Sequence, residues 1–180
     1  MKTETTVMYI IRLTVTLLLI CAVVAGALAA VNAITKDAIA ANQEKKTLDA
    51  LAAVLPGVAG LEKQALSGDT GIVSEVYASG DSYAVKVLPS GFGGDIAMMV
   101  GIQNGQITGI SVISHTETPG LGAVAAAANA KGEAFRGQFV GQSDTLVIGA
   151  QIDAMSGATI TSNAVVAGVN AALSYVANQG

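Results

Sequence analysis

Between Leu13 and Ile34 the chain carries no charged side chain. Leucine, valine, alanine and isoleucine fill most of this stretch, with Thr14, Thr16, Asn32 and a few small residues among them. At ~1.5 Å per residue, a helix over these positions is roughly 33 Å long, enough to cross the hydrocarbon core of a bilayer. A cleavable secretory signal is the rival reading, but its apolar core usually runs to ~7–15 residues, shorter than this one. A lipoprotein signal wants a small residue before its cysteine, whereas Ile20 precedes Cys21. The expectation is a polar leading segment, 1–12, and a retained transmembrane helix, 13–34. Cys21 within that span reads as a small packing residue. One thiolate falls short of the ligand set of an iron–sulfur cluster. Charge does not orient the helix, because Lys2 and Arg12 precede it while Lys36, Lys45 and Lys46 follow it.

Beyond the span, Ile39, Leu48, Leu51, Ala52 and Leu55 recur at helical spacing, with Glu44, Lys45 and Lys46 on the other side. Pro56-Gly57 is a stop signal. A membrane-proximal helix is expected over 35–57. From Gly71 the pattern turns to β. Ile72–Tyr77, Tyr83–Leu88, Asp95–Ile102 and Ile107–Ile113 read as strands, joined by Ser79-Gly80-Asp81-Ser82, a glycine-rich loop and the hairpin signal Asn104-Gly105. Such close spacing points to an antiparallel meander rather than to βαβ units. The Ala-rich stretch 123–134 reads as helix, Leu146–Ala150 as a short strand and Asn163–Ala177 as a long helix. The fold class expected is α+β: an N-terminal transmembrane helix, then one domain, 58–180, with an antiparallel sheet and flanking helices.

Composition removes several functions. Net charge is −4 and no basic cluster occurs, which argues against nucleic acid as a partner. A single cysteine excludes an internal disulfide, and a single histidine, His115, leaves no metal-ligand set.

Two stretches remain. The first, Asp153-Ala154-Met155-Ser156-Gly157-Ala158-Thr159-Ile160-Thr161-Ser162, joins the expected strand to the expected long helix. Thr161 or Ser162 is the expected N-cap, since its oxygen can accept an orphan backbone N–H. Hydroxyls and free N–H groups then gather at the positive end of a helix dipole, a place suited to a phosphate. Gly157 and Ala158 leave no bulk beside Thr159, so a large group has room to approach its hydroxyl. By physics alone this is either an anion-friendly loop or a plain capped helix start. The second stretch, Ser114-His115-Thr116-Glu117-Thr118-Pro119-Gly120-Leu121-Gly122, leaves a strand end as a loop shaped by proline and glycine. Alone it is a polar turn, or a place for His115 and Glu117 to do acid–base work, although no nucleophile accompanies them.

The string Asp153-x-x-Ser156-Gly157-Ala158-Thr159 resembles the flavinylation motif of the FMN-binding domain, in which the last threonine carries FMN through a phosphoester bond. Thr161 and Ser162 follow it as they do in the ion-pumping members. Gly91-Phe92-Gly93-Gly94, Val100-Gly101-Ile102, Gly109-Ile110 and Ser114–Gly122 look like the G subunit of the Rnf ion-translocating ferredoxin:NAD oxidoreductase complex, and occur in the same order. The C subunit of the sodium-pumping NADH:quinone reductase is related. With the amino-terminal span, the resemblance covers essentially the whole chain.

The resemblance implies covalent FMN on Thr159, installed from FAD by a separate Mg-dependent flavin transferase. It places Asp153, Ser156, Gly157, Ala158 and Thr161 in the cofactor loop. It also sets His115, Glu117, Thr118, Pro119, Gly120, Leu121 and Gly122 near the isoalloxazine ring. No site residue is carried onto 123–134, which departs from the family's pattern. The implied protein is a single-pass component of the cell (inner or plasma) membrane, with residues 1–12 cytoplasmic and its domain on the extracytoplasmic side. It passes electrons among the other subunits of a complex that moves Na+ or H+, and has no complete active site of its own. Two alternatives stand beside it. One keeps the flavin but assigns it to the quinone reductase, whose C subunit is usually longer, or to an extracellular electron-transfer chain. The other is a membrane-anchored binding module with Thr159 unmodified.

Overall fold

The computed structural model describes residues 2–66 and 70–179. Internal contacts divide the chain between Lys45 and Lys46. Helix α1 (Lys2–Val54) supplies the first unit and contributes its last turns to the second. Its apolar side chains from Val7 to Ile34 are exposed, and it is long and apolar enough to cross a membrane. The hydroxyls of Thr14, Thr16 and Thr35 donate to the carbonyls of Ile10, Arg12 and Val31 at 3.0, 2.8 and 2.8 Å. Hydroxyls bonded back into their own helix offer no unsatisfied donor to lipid.

The second unit is built on one antiparallel sheet of five strands in sequence order: β1 (Glu62–Gln64), β2 (Val73–Ser79), β3 (Ser82–Val87), β4 (Ala97–Gln103) and β5 (Gln106–Ser114). Side chains alternate across a strand, so the sheet offers two faces. Val76, Val85, Val87, Met98, Val100, Ile102 and Ile110 line one face. They pack against α3 (Thr159–Ala177) through Val165 and Val169, with Phe135 of α2 (Ala130–Gly137) in the same cluster. The opposite face buries Ala84, Ala97, Met99 and Ile113 under Ala50, Leu51, Val54 and Leu55 at the end of α1. Helix, sheet and helix form three layers. Residues 97–102 of β4 are buried throughout, which explains their unbroken apolar run. Although α3 is also long and apolar enough to cross a membrane, it is the core helix of this unit.

Local chemistry fixes the turns. Asn104 and Gly105 take φ of +52° and +77°, the conformation a two-residue hairpin of right-handed twist requires. Gly101 permits the close approach of α1: a Cβ there would lie 2.5 Å from both the Val54 carbonyl and the Thr108 hydroxyl. That hydroxyl donates to the Val54 carbonyl at 2.5 Å and satisfies one of the orphan acceptors at the helix end. The sheet's first edge is β1, three polar residues long. On the other edge, Ile107 exchanges backbone bonds of 2.8 and 2.9 Å with Gly141 and Gln142.

Four of the expected strands are present, and three expectations need correction. Leu146–Ala150 is no strand; a lone parallel bridge joins Ile148 to Ile152, while the Asn170 side-chain amide bonds both the N–H and the carbonyl of Leu146 at 2.8 and 2.9 Å. Residues 123–134 are not one helix. They divide into a 3-10 turn, Gly122–Ala126, and α2, because the Asn129 side chain accepts the Gly132 N–H and starts a new helix. Helix α3 begins at Thr159 rather than Asn163.

On the α1 side of the sheet, Glu75 accepts bonds from the Tyr77 hydroxyl at 2.6 Å and from Lys86 at 3.0 Å, with Lys63 3.2 Å away. Burial pushes the Glu75 carboxyl up, but the bonds from Tyr77, Lys86 and Lys63 outweigh it and hold the group at about 2, below the ordinary 4.5. A carboxyl depressed on folding contributes stability above 4.5 and loses it as the pH falls toward 2. Glu75→Gln should lower stability by about 1 kcal/mol at neutral pH, a figure discounted for solvent screening. Denaturant melts across that acid range should show the gap between variant and parent closing; a constant gap would remove the carboxylate as its source.

Candidate functional site

Three separated loops meet at the start of α3. The first, between β3 and β4, is closed by Gly91 N–H to Gly94 carbonyl at 2.8 Å and Ser90 hydroxyl to Asp95 carboxylate at 2.8 Å, leaving Phe92 exposed. The second follows β5. Its Thr116 hydroxyl donates to the Gly93 carbonyl at 2.8 Å, and the Glu117 N–H donates to His115 Nδ1 at 3.2 Å. Glu117 is buried, with Oε1 accepting the Gly93 N–H at 2.9 Å and Oε2 accepting the Thr161 hydroxyl. One carboxylate therefore ties both loops to α3. Glycine makes room for it, since a Cβ on Gly91 or Gly122 would run into its oxygens.

The third loop is the segment before α3. Gln138 clamps Asp153, its Oε1 accepting the N–H at 2.7 Å and its Nε2 donating to the carbonyl at 3.4 Å. Ser162, fully buried, accepts the Met155 N–H and donates to the Ala158 carbonyl, both at 2.9 Å. Thr161 and Ser162 thus lie inside the first turn, and the N-cap is Ala158, with no side-chain cap. The expected cap is corrected on physical grounds: these hydroxyls bond Glu117 and the loop backbone instead. The first N–H groups of α3, from Thr159 onward, carry the partial positive charge of the helix start.

A cavity of about 370 Å3 opens between these loops, lined by Phe92, Glu117, Thr118, Leu121, Gly122 and residues 157–161. Thr159 is exposed on it, at the first position of α3. A second cleft, about 490 Å3, holds Gly120, Asp153 and Ser156 along with Lys131 and Gln138; Leu121 borders both. Of the residues singled out from sequence, Glu117, Thr118, Leu121, Gly122, Gly157, Ala158, Thr159 and Thr161 share the first cavity. Asp153, Ser156 and Gly120 lie on the second. His115 and Pro119 line neither of the two.

Residues 91–174 match the FMN-binding domain, and residues 1–54 match the RnfG N-terminal region. The G subunit of an ion-translocating oxidoreductase complex from Methanosarcina acetivorans is 35% identical over 185 residues, covering 94% of this chain and 96% of that one. The G subunit of a Na+-translocating ferredoxin:NAD+ oxidoreductase complex from Acetobacterium woodii is 33% identical over 197 residues, covering 94% and 92%. Its counterpart in a proton-translocating ferredoxin:NAD+ oxidoreductase complex from Clostridium ljungdahlii is 41% identical over 103 residues, covering 53% of each.

The chain belongs to the RnfG family.

Membership in the RnfG family, together with the apolar α1, makes it a membrane protein. The FMN-binding match also gives the cavity a ligand to be tested against. FMN needs an apolar slot for a flat ring and a positive anchor for a phosphate. Phe92, Leu121 and Ile160 supply apolar walls, the volume suits a cofactor-sized group, and the start of α3 supplies the anchor. The residues fit the group. Phe92 and Ile160 are not among the candidates that the sequence alone provides; an aromatic side chain inside a glycine run between two strands is the available signal for the first.

Gly122 tests the clamp. A Cβ there meets both Glu117 Oε2 and the Thr161 hydroxyl, so Gly122→Ala should destabilise by about 1–3 kcal/mol. Gly137 has open space around its Cβ direction, and Gly137→Ala should melt no lower than the parent. Equal melts for both variants would show that the clamp yields without cost.

Proposed function

We propose that this chain is the flavin-carrying electron-transfer subunit of an Rnf-type membrane complex, coupling ferredoxin:NAD electron transfer to movement of Na+ or H+, and that Thr159 holds the FMN covalently. The observation that carries the reading is the exposed Thr159 side chain at the first position of α3, on the rim of an apolar cavity. Names of relatives support the choice of complex, and they include both a Na+-translocating and a proton-translocating one.

FMN supplies the redox chemistry when bound, and the chain supplies place and electrostatics. Gly157 and Ala158 give the Thr159 oxygen a clear approach, and the N–H groups of the first turn offset a phosphodiester's charge. Phe92, Leu121 and Ile160 shield the ring from water, while Thr118 and Gly122 shape the cavity's second side. In maturation Thr159 would supply the oxygen that takes the FMN phosphoryl group from FAD, with AMP as the leaving group, on a separate flavin transferase. Asp153 and Ser156 sit on the neighbouring cleft, where they are available to that transferase. The domain faces the extracytoplasmic side, single-pass, where a flavin held by weak contacts would be lost on dissociation. A phosphoester prevents that loss. Partners are the complex's other subunits.

Two substitutions test the assignment, each in the full chain co-expressed with a flavin transferase. Thr159→Val deletes the acceptor oxygen and should abolish the FMN-phosphoryl mass on the peptide containing it; surviving in-gel flavin fluorescence would move the site elsewhere. Asp153→Ala should slow flavin incorporation severalfold while leaving the melt unchanged, because its side chain is exposed and Gln138 holds only its backbone. A melt lowered by several degrees would make Asp153 structural instead.

A further inference from the structure

Glu117 is 6% exposed and both its oxygens accept hydrogen bonds. Its donors are a backbone N–H and a threonine hydroxyl, both neutral. Among the described residues, the lysine–carboxylate pairs within ion-pair distance are Lys63–Glu75 and Lys86–Glu75, so the charge of Glu117 has no side-chain cation beside it. The clamp does not require that charge. A glutamine in the same place would accept the Gly93 N–H through its amide oxygen and donate to the Thr161 oxygen through its amide nitrogen. A buried charge without a cation is costly, and the positive start of α3 offsets only part of that cost. Glu117 also lines the first cavity.

We propose that the Glu117 carboxylate sets the reduction potential of the flavin, acting as a fixed negative charge in the cavity wall. The inference rests on the functional reading above. Electrons added to a ring in this cavity place negative charge near a like charge, in surroundings that screen it poorly. Reduction is disfavoured, and the flavin becomes a stronger donor to the next carrier. Thr161 moderates the effect by donating to the carboxylate. Glu117 thus has two separable properties: its shape ties two loops to α3, and its charge tunes what they enclose.

The test uses the full chain, co-expressed with a flavin transferase and purified in detergent. Covalent flavin is read first by mass spectrometry, then the potential by spectroelectrochemical titration, with a melt alongside. Glu117→Gln should keep its flavin, melt no lower than the parent and shift to a more positive potential. Glu133→Gln, an exposed change on α2, should leave the potential where it was. Thr161→Val keeps the carboxylate but removes its donor, and should shift the potential the other way. A flavin-loaded Glu117→Gln with the parent's potential overturns the inference alone. If that variant takes no flavin, Thr161→Val decides, and a parental potential there overturns it too. Loss of flavin from both variants with parental melts would assign the pair to holding the flavin rather than tuning it, which also overturns it. A parent chain without covalent flavin would instead sink the functional reading on which this one stands.

Discussion

The hydrogen bonds from Gly93 and Thr161 to Glu117 join parts of the chain that local forces would leave apart. The loop between β3 and β4 and the loop after β5 emerge side by side where the β4–β5 ladder ends at Ala97 and Ser114, but no strand ladder connects either to the first turn of α3. A carboxylate reaching both ways does so, provided nothing stands between. Gly91 and Gly122 meet that condition by lacking a Cβ. The glycines and the glutamate form one device, and neither part works without the other.

A similar economy governs the segment before α3. Between Leu146 and Ala158 the chain has little regular structure, yet it is not loose. Asn170 grips Leu146, Gln138 grips Asp153 and Ser162 grips Met155, each through the backbone. Two of these are amide side chains that offer one donor and one acceptor to the same residue, as a neighbouring strand would. Apolar anchors at Leu146, Ile152 and Met155 seat the segment in the core. Thr159 is thereby delivered to the cavity by side-chain pins rather than by a strand.

Much of this is legible in the residues, and the failures have causes. β2 to β5 follow from short apolar runs bounded by turn residues and from the φ preferences of Asn104-Gly105, both local properties. Leu146–Ala150 imitates a strand because its residues are core residues, and burial without a ladder looks the same in sequence. The start of α3 is misplaced by sequence because Thr161 and Ser162 are good caps in isolation, whereas here their hydroxyls have partners in other loops. β1 is invisible, being three polar residues paired with β2. In the site, both motif loops stand out, but Phe92 joins them only through tertiary contact. Asp153 is legible as part of a motif, not as part of a separate cleft.

The sheet has two rims, β1 and β5. An exposed strand edge is a template on which another chain can polymerise. Here one rim is three residues long and includes Glu62 and Lys63, and the other has Ile107 already engaged by Gly141 and Gln142. The first rim is short and charged, and the second is engaged at the start of β5. A second copy seeking to extend the sheet finds three residues to pair with at the first rim, and at the second it must begin beyond Ile107.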